Sequence, residues 1–112
     1  MYRGTTPEYI LHVIGYDLTD KSVFVTIEYA KTELTITNDR LTVTYTEPTA
    51  TADGYSEIQF TLTQEETLSF KPGIGSVQVR FIGSDGMAEA TEYADIEVRP
   101  ILKDGVIEYG GA

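Results

Sequence analysis

The stretch Thr61–Phe70, TLTQEETLSF, sets Glu65 beside Glu66. Two neighbouring carboxylates can bind a cation or divide acid and base roles, provided a cleft holds them at a defined separation. The spacing around this pair favours a different use. Thr63-Gln64-Glu65-Glu66 has the Ser/Thr-x-x-Glu pattern of a helix capping box. In that motif the Thr63 hydroxyl accepts from the Glu66 N–H, and the Glu66 carboxylate accepts from the Thr63 N–H. Acidic side chains also suit the positive end of a helix dipole. The motif therefore predicts one short helical turn near residues 64–68, with Thr63 and Glu66 as its structural cap.

The remaining chemistry-bearing residues are dispersed. His12 is the sole histidine and sits in an apolar run, EYILHVIG. One histidine makes neither a two-histidine metal site nor a recognisable triad, so it reads as a packed or edge residue. Asp17-Leu18-Thr19-Asp20, Asn38-Asp39, Asp53-Gly54, Asp85-Gly86 and Asp104-Gly105 suggest calcium, but none has EF-hand spacing. Asp-Gly pairs serve turns directly, through side-chain hydrogen bonds and positive φ. Loops gathered at one end of a β-sandwich are the remaining route to an ion site. Paired carboxylates for glycoside hydrolysis need a cleft that a chain of this size hardly offers. The eight tyrosines could stack on sugar rings, though tryptophan is absent and the tyrosines are spread from Tyr2 to Tyr109. Half-buried cross-strand packing is their ordinary use. No catalytic, metal or cofactor-binding residue is assigned.

Composition sets the frame for these residues. With 112 residues, 41% of them hydrophobic, the chain suits one domain with one core. The net charge of -10 opposes binding to phosphate backbones and anionic lipid, so neither nucleic acid nor membrane is an expected partner. The absence of cysteine excludes disulfides, thiolate zinc sites and thiol nucleophiles. No secretory signal pattern or membrane-length apolar run is visible, and an initial methionine is what a complete small gene product would show.

The elements that must position everything else are strands. Val23, Val25, Ile27 and Tyr29 alternate with Thr26 and Glu28. Leu41, Val43 and Tyr45 repeat the pattern, as do Ile58, Phe60 and Leu62, then Val77, Val79 and Phe81, then Ala94, Ile96 and Val98. EYILHVIG and ELTIT are less regular strands. Turn signals separate them in YDLTDKS, TNDR, ADGY, KPGIG and GSDG. About seven short antiparallel strands with such turns predict an all-β, Ig-like β-sandwich, with a small barrel as the competing architecture. The helical turn falls at the crossover between the fifth and sixth strands. The domain is expected over residues 1–102, with residues 103–112 as a C-terminal tail. In that tail Val106, Ile107 and Tyr109 are apolar without an evident place in the core, and they are the candidate subunit contacts.

Four strings carry a family resemblance: MYRGTTPEYIL, LTQEETLSF, SVQVRFIGSDGMAEAT and VRPILKDGVI. Together they resemble small structural proteins of tailed bacteriophages and prophages of Gram-positive gut bacteria. These are similar to the N-terminal Ig-like domain of phage baseplate upper proteins. RGTTP and LTQEETL are the more specific parts. The resemblance implies a non-enzymatic virion protein of the tail or baseplate region, or a decoration, adaptor or plug. It implies no cofactor, assembly in the bacterial cytoplasm, and partners that are other virion proteins and the chain itself. A carbohydrate- or cell-surface-binding adhesion module is the alternative.

Overall fold

Alternating β-branched and aromatic residues do form strands, and these separate into two antiparallel sheets. The computed structural model describes residues 1–111; Ala112, the last residue of the expected tail, lies outside the described residues. The strands are β1 (Glu8–Ile14), β2 (Ser22–Tyr29), β3 (Thr32–Thr37), β4 (Thr42–Thr46), β5 (Tyr55–Thr61), β6 (Gly73–Ile82), β7 (Ala88–Ala90) and β8 (Ala94–Val98). A 3-10 turn, Asn38–Arg40, links β3 to β4, and the helical turn α1 (Gln64–Leu68) links β5 to β6.

One sheet has the order β1-β5-β4; the other runs β3-β2-β6, with β7 and β8 both pairing β6. These orders match strands B-E-D and C′-C-F-G of an immunoglobulin sandwich. Two separate sheets make this a sandwich rather than a barrel, as the strand pattern predicts, and α1 occupies the expected crossover. Among the described residues no full strand takes the place of strand A. Instead Met1–Arg3 run parallel to the end of β8: the Arg99 N–H donates to the Met1 carbonyl at 2.7 Å, and the Arg3 N–H donates to the Arg99 carbonyl at 3.0 Å.

The core lies between the sheets. Val23, Val25, Ile27, Val77, Val79 and Phe81 point inward from one sheet, and Ile58 and Phe60 from the other, with Leu18, Leu62 and Phe70 closing the ends. Each fully buried side chain of this kind contributes about 1.5–3 kcal/mol. Two buried polar groups are satisfied within the protein. The Ser56 hydroxyl donates to the Tyr16 carbonyl and accepts from the Leu18 N–H, which ties the β1–β2 connection to β5. The Thr67 hydroxyl donates to the Thr5 carbonyl at 3.0 Å and accepts from the Thr5 N–H at 3.1 Å, which ties the N-terminal segment to α1.

Three local details differ from the sequence pattern. KPGIG reads as a loop, yet β6 already begins at Gly73. The Tyr29 ring lies so close over Gly73 that a Cβ there would sit 2.2 Å from the phenol oxygen, and one on Gly75 would sit 2.6 Å from the Glu28 carbonyl. These glycines serve close packing inside a strand rather than a turn. Second, the residues after GSDG form a short strand, β7, and the chain then breaks away at Thr91–Tyr93 before returning as β8. Third, the β2–β3 hairpin turns on Ala30 and Lys31, which carry no turn signature. Both are left-handed, with φ of 50° and 70°. Pairing of Tyr29 with Thr32 leaves a two-residue loop, where positive φ at both positions matches the strand twist. The double substitution Ala30→Asn, Lys31→Gly is therefore expected to stabilise the fold by about 1 kcal/mol, raising Tm by roughly 4 °C in a thermal melt.

Candidate functional site

The acidic pair is divided by its surroundings. Glu65 is exposed, whereas Glu66 is nearly buried and fully engaged. The Glu66 backbone N–H donates to the Thr63 hydroxyl at 3.2 Å, and the Thr63 N–H donates to Glu66 Oε1 at 2.8 Å, completing the predicted capping box. The carboxylate also receives both terminal nitrogens of Arg40, each at 2.6 Å. Arg40 comes from the turn after β3 and donates a further hydrogen bond to the Thr61 carbonyl. The Arg40 guanidinium holds the Glu66 carboxyl below its ordinary value of 4.5, against a contribution from burial that acts the other way. Both carboxylate oxygens of Glu66 thus have partners in the protein, and the pair is a joint between α1 and the β3–β4 turn. Thr63→Ala is expected to cost about 1 kcal/mol in denaturant unfolding, the usual loss of a helix cap.

The same corner collects two segments distant in sequence. Arg3 Nε donates to the Phe70 carbonyl at 2.7 Å, and Arg3 Nη2 donates to the Leu68 carbonyl at 2.9 Å. These are carbonyls at and just beyond the end of α1, so a residue from the N-terminal strap caps the end of the helical turn. Arg3 Nη1 also pairs with Asp104 of the tail. On the other side of α1, the Gln64 side-chain amide donates to the Ile107 carbonyl at 2.9 Å, and its oxygen accepts from the Ile107 N–H at 2.8 Å. The tail backbone is held by α1 while its side chains face outward. Val106, Ile107 and Tyr109 are 48%, 69% and 108% exposed.

The other singled-out residues stay apart from this corner. His12 lies on the exposed face of β1, stacked on Tyr55, with Nε2 3.0 Å from a Glu57 carboxylate oxygen. Asp17 accepts from the Thr19 N–H and hydroxyl, and Asp85 from the Met87 N–H, which is turn chemistry. Among the described residues no group of three or more His, Cys, Asp or Glu stands close enough to hold a metal ion. No helix among them is long and apolar enough to cross a membrane. The tyrosines divide: Tyr9 packs on Phe60, whereas Tyr93 stands 72% exposed.

Several grooves cross the surface of the described residues, and two of them bear on function. One lies on the outer face of the β2–β6 pair, about 290 Å³ in volume, floored by Thr26, Glu28, Ser76 and Gln78 and walled by Tyr93. The break between β7 and β8 produces that wall, because Thr91 bonds across to Val79 and Gln78 while the chain leaves the sheet. The other groove lies between β1 and β8, where strand A of an immunoglobulin domain would run. It consists of two adjoining hollows of about 160 and 150 Å³ that share Leu11, Val77 and Ala94. Strand alternation marks Ala94 as inward-facing with Ile96 and Val98, yet it is exposed. Of the three inward residues of β1, Val13 is buried but Tyr9 and Leu11 are only half-buried.

The chain matches no family model, no characterised protein and no solved structure. Function must be argued from the corner and the grooves. Sequence reasoning reached the cap and the tail, but not Arg3, Arg40, Gln64 or the grooves. Arg40 and Arg3 lie 26 and 67 residues from their partners Glu66 and Phe70, and no spacing rule spans such distances.

Proposed function

We propose that this chain is a non-enzymatic structural protein of a tailed-phage or prophage virion. It would serve in the tail or baseplate region, or as a decoration or adaptor, and act through protein–protein assembly. The carrying observation is the presentation of Val106, Ile107 and Tyr109: apolar, exposed, and held by Gln64 on a well-braced corner. Exposed apolar side chains on an ordered support mark interaction surfaces. Three of the strings that resemble phage structural proteins supply that corner, with Arg3 and Thr5 from RGTTP, α1 from LTQEETL, and Asp104 and Ile107 from KDGVI. Mass spectrometry of purified particles from the host encoding the chain tests the role directly. Recovery of the chain at a stoichiometry above one copy per particle is expected, and its absence from particles overturns the assignment.

The tail contact has its own test. Deleting residues 103–112 would also remove the Arg3–Asp104 and Gln64–Ile107 bonds, confusing assembly with stability. The triple substitution Val106→Ser, Ile107→Ser, Tyr109→Ser keeps those bonds, since Gln64 holds only the backbone of Ile107. Its mass in solution is expected to fall from that of an assembled wild type to that of a monomer. An unchanged mass would show that these side chains make no contact between copies of the chain.

A second role, carbohydrate or cell-surface binding, is favoured by the Tyr93 groove. An aromatic wall over hydroxyl, amide and carboxylate groups is the chemistry that recognises a sugar ring. Glycan-array binding lost in Tyr93→Ala, with the fold intact, would support it over assembly.

A further inference from the structure

The groove between β1 and β8 has the features of a site for an added β-strand. Among the described residues β1 pairs only with β5, so its other edge presents backbone donors and acceptors without a strand partner. The floor beside that edge is apolar, made by Leu11, Val77, Val79 and Ile96, and Ala94 is too small to cover it. Met1–Arg3 cover β8 only at Glu97–Arg99 and leave Ala94–Ile96 open. A strand laid here would run antiparallel to β1, extend its sheet and cover Tyr9 and Leu11. Ladder hydrogen bonds would supply affinity, and alternate side chains would fill the hollows.

We infer that the occupant is the tail of a second copy, Gly105–Gly111, with Ile107 and Tyr109 directed into the groove. The inference rests on the assembly role proposed above and names the acceptor for its contact residues. The Gly105–Gly111 segment of the tail spans seven positions, as many as β1. Ile107 and Tyr109 are two apart, so in an extended chain they share a face, and both are exposed on their own domain. Gln64 is then a latch: it occupies the Ile107 N–H and carbonyl until a neighbour's edge replaces it. Tail and groove are different surfaces, so each contact is heterologous, and copies either exchange tails in a closed pair or continue into larger rings or open chains.

Sedimentation of the full-length chain, with hydrogen exchange at β1, tests this. The wild type is expected to gain mass with concentration while the β1 amides become protected. Ala94→Lys, which blocks the groove, and Ile107→Asp, which spoils the donor, should each be monomeric. Both positions are exposed, and circular dichroism should show an unchanged fold. Mixing the two variants is the decisive arm: one intact tail and one intact groove remain, so a one-to-one dimer should form and grow no further. Gln64→Ala should tighten wild-type association about tenfold by releasing the tail. Association that survives Ala94→Lys, or a mixture that stays monomeric, overturns the groove and leaves the particle test of the virion role standing. A wild type monomeric to millimolar concentration overturns it too and leaves the groove to a strand from another protein. Absence of the chain from purified particles would instead sink the virion role, whatever the groove binds.

Discussion

Replacing Arg3 by alanine is expected to destabilise the fold by about 3 kcal/mol, the larger of two strong effects at the braced corner. Arg3 donates to the Phe70 and Leu68 carbonyls and pairs with Asp104, and its side chain is only 16% exposed. A hydrogen bond from a charged donor contributes roughly 1.5–3 kcal/mol, and a buried carbonyl left without a donor adds a penalty of its own. The exposed Asp104 pair adds little by comparison. Lysine at this position would recover less than half of the loss, because a single ammonium cannot match the guanidinium fork across two carbonyls. Urea unfolding gives the number, and hydrogen exchange gives the location. The tail and residues 1–5 should open together in Arg3→Ala, since one guanidinium ties both to α1. A loss below about 1 kcal/mol would mean that water satisfies these carbonyls as well as Arg3 does.

Glu66→Ala should cost about 2–3 kcal/mol, since it removes the reciprocal half of the capping box and strips Arg40 of its bidentate partner. Partial exposure of Arg40 keeps the figure below that of a fully buried pair. Glu66→Gln separates the two contributions. An amide oxygen can still accept from the Thr63 N–H, so the cap survives while the charge pairing is lost, and about half the cost should remain. The dependence on pH follows from the lowered pKa of Glu66. The folded protein holds this group ionised below the ordinary value of 4.5, so at acid pH the unfolded chain takes up its proton first. The stability it contributes is complete above that value and is lost as pH falls through the lower folded value. The difference in unfolding free energy between wild type and Glu66→Gln should therefore shrink as pH falls from 5 toward 3. A difference that stays constant over that range would mean that the charge contributes nothing and only the cap matters.

Local pattern and tertiary contact contributed differently to what can be read here. Period-two alternation was enough to place the inward faces of β2, β5 and β6, because in a two-layer sandwich the buried face of a central strand is set by the pleat alone. The capping box was legible for the same reason: its partners are three residues apart, and backbone geometry fixes their meeting. The Ala30-Lys31 turn was not legible, because its left-handed backbone is imposed by the pairing of β2 with β3 and not by its residue types. KPGIG misled because a glycine fitted to the Tyr29 ring looks the same in sequence as a glycine fitted to a turn.

By itself the sequence determined an acidic, cysteine-free, all-β sandwich with a capped corner and an apolar tail, since each of these depends on composition or on contacts within a few residues. Only the tertiary structure decided what the corner is made of and which surfaces are left uncovered. Arg3 meets the end of α1, and Arg40 meets Glu66, because folding brings together groups that no local rule connects. The groove beside β1 is a property of strand order: Tyr9, Leu11 and Ala94 alternate as core residues do, and they lie at an uncovered edge because no neighbouring strand lies over them. Alternation marks the side of a strand that seeks cover, and only the packing of the sheets shows whether the chain itself provides it.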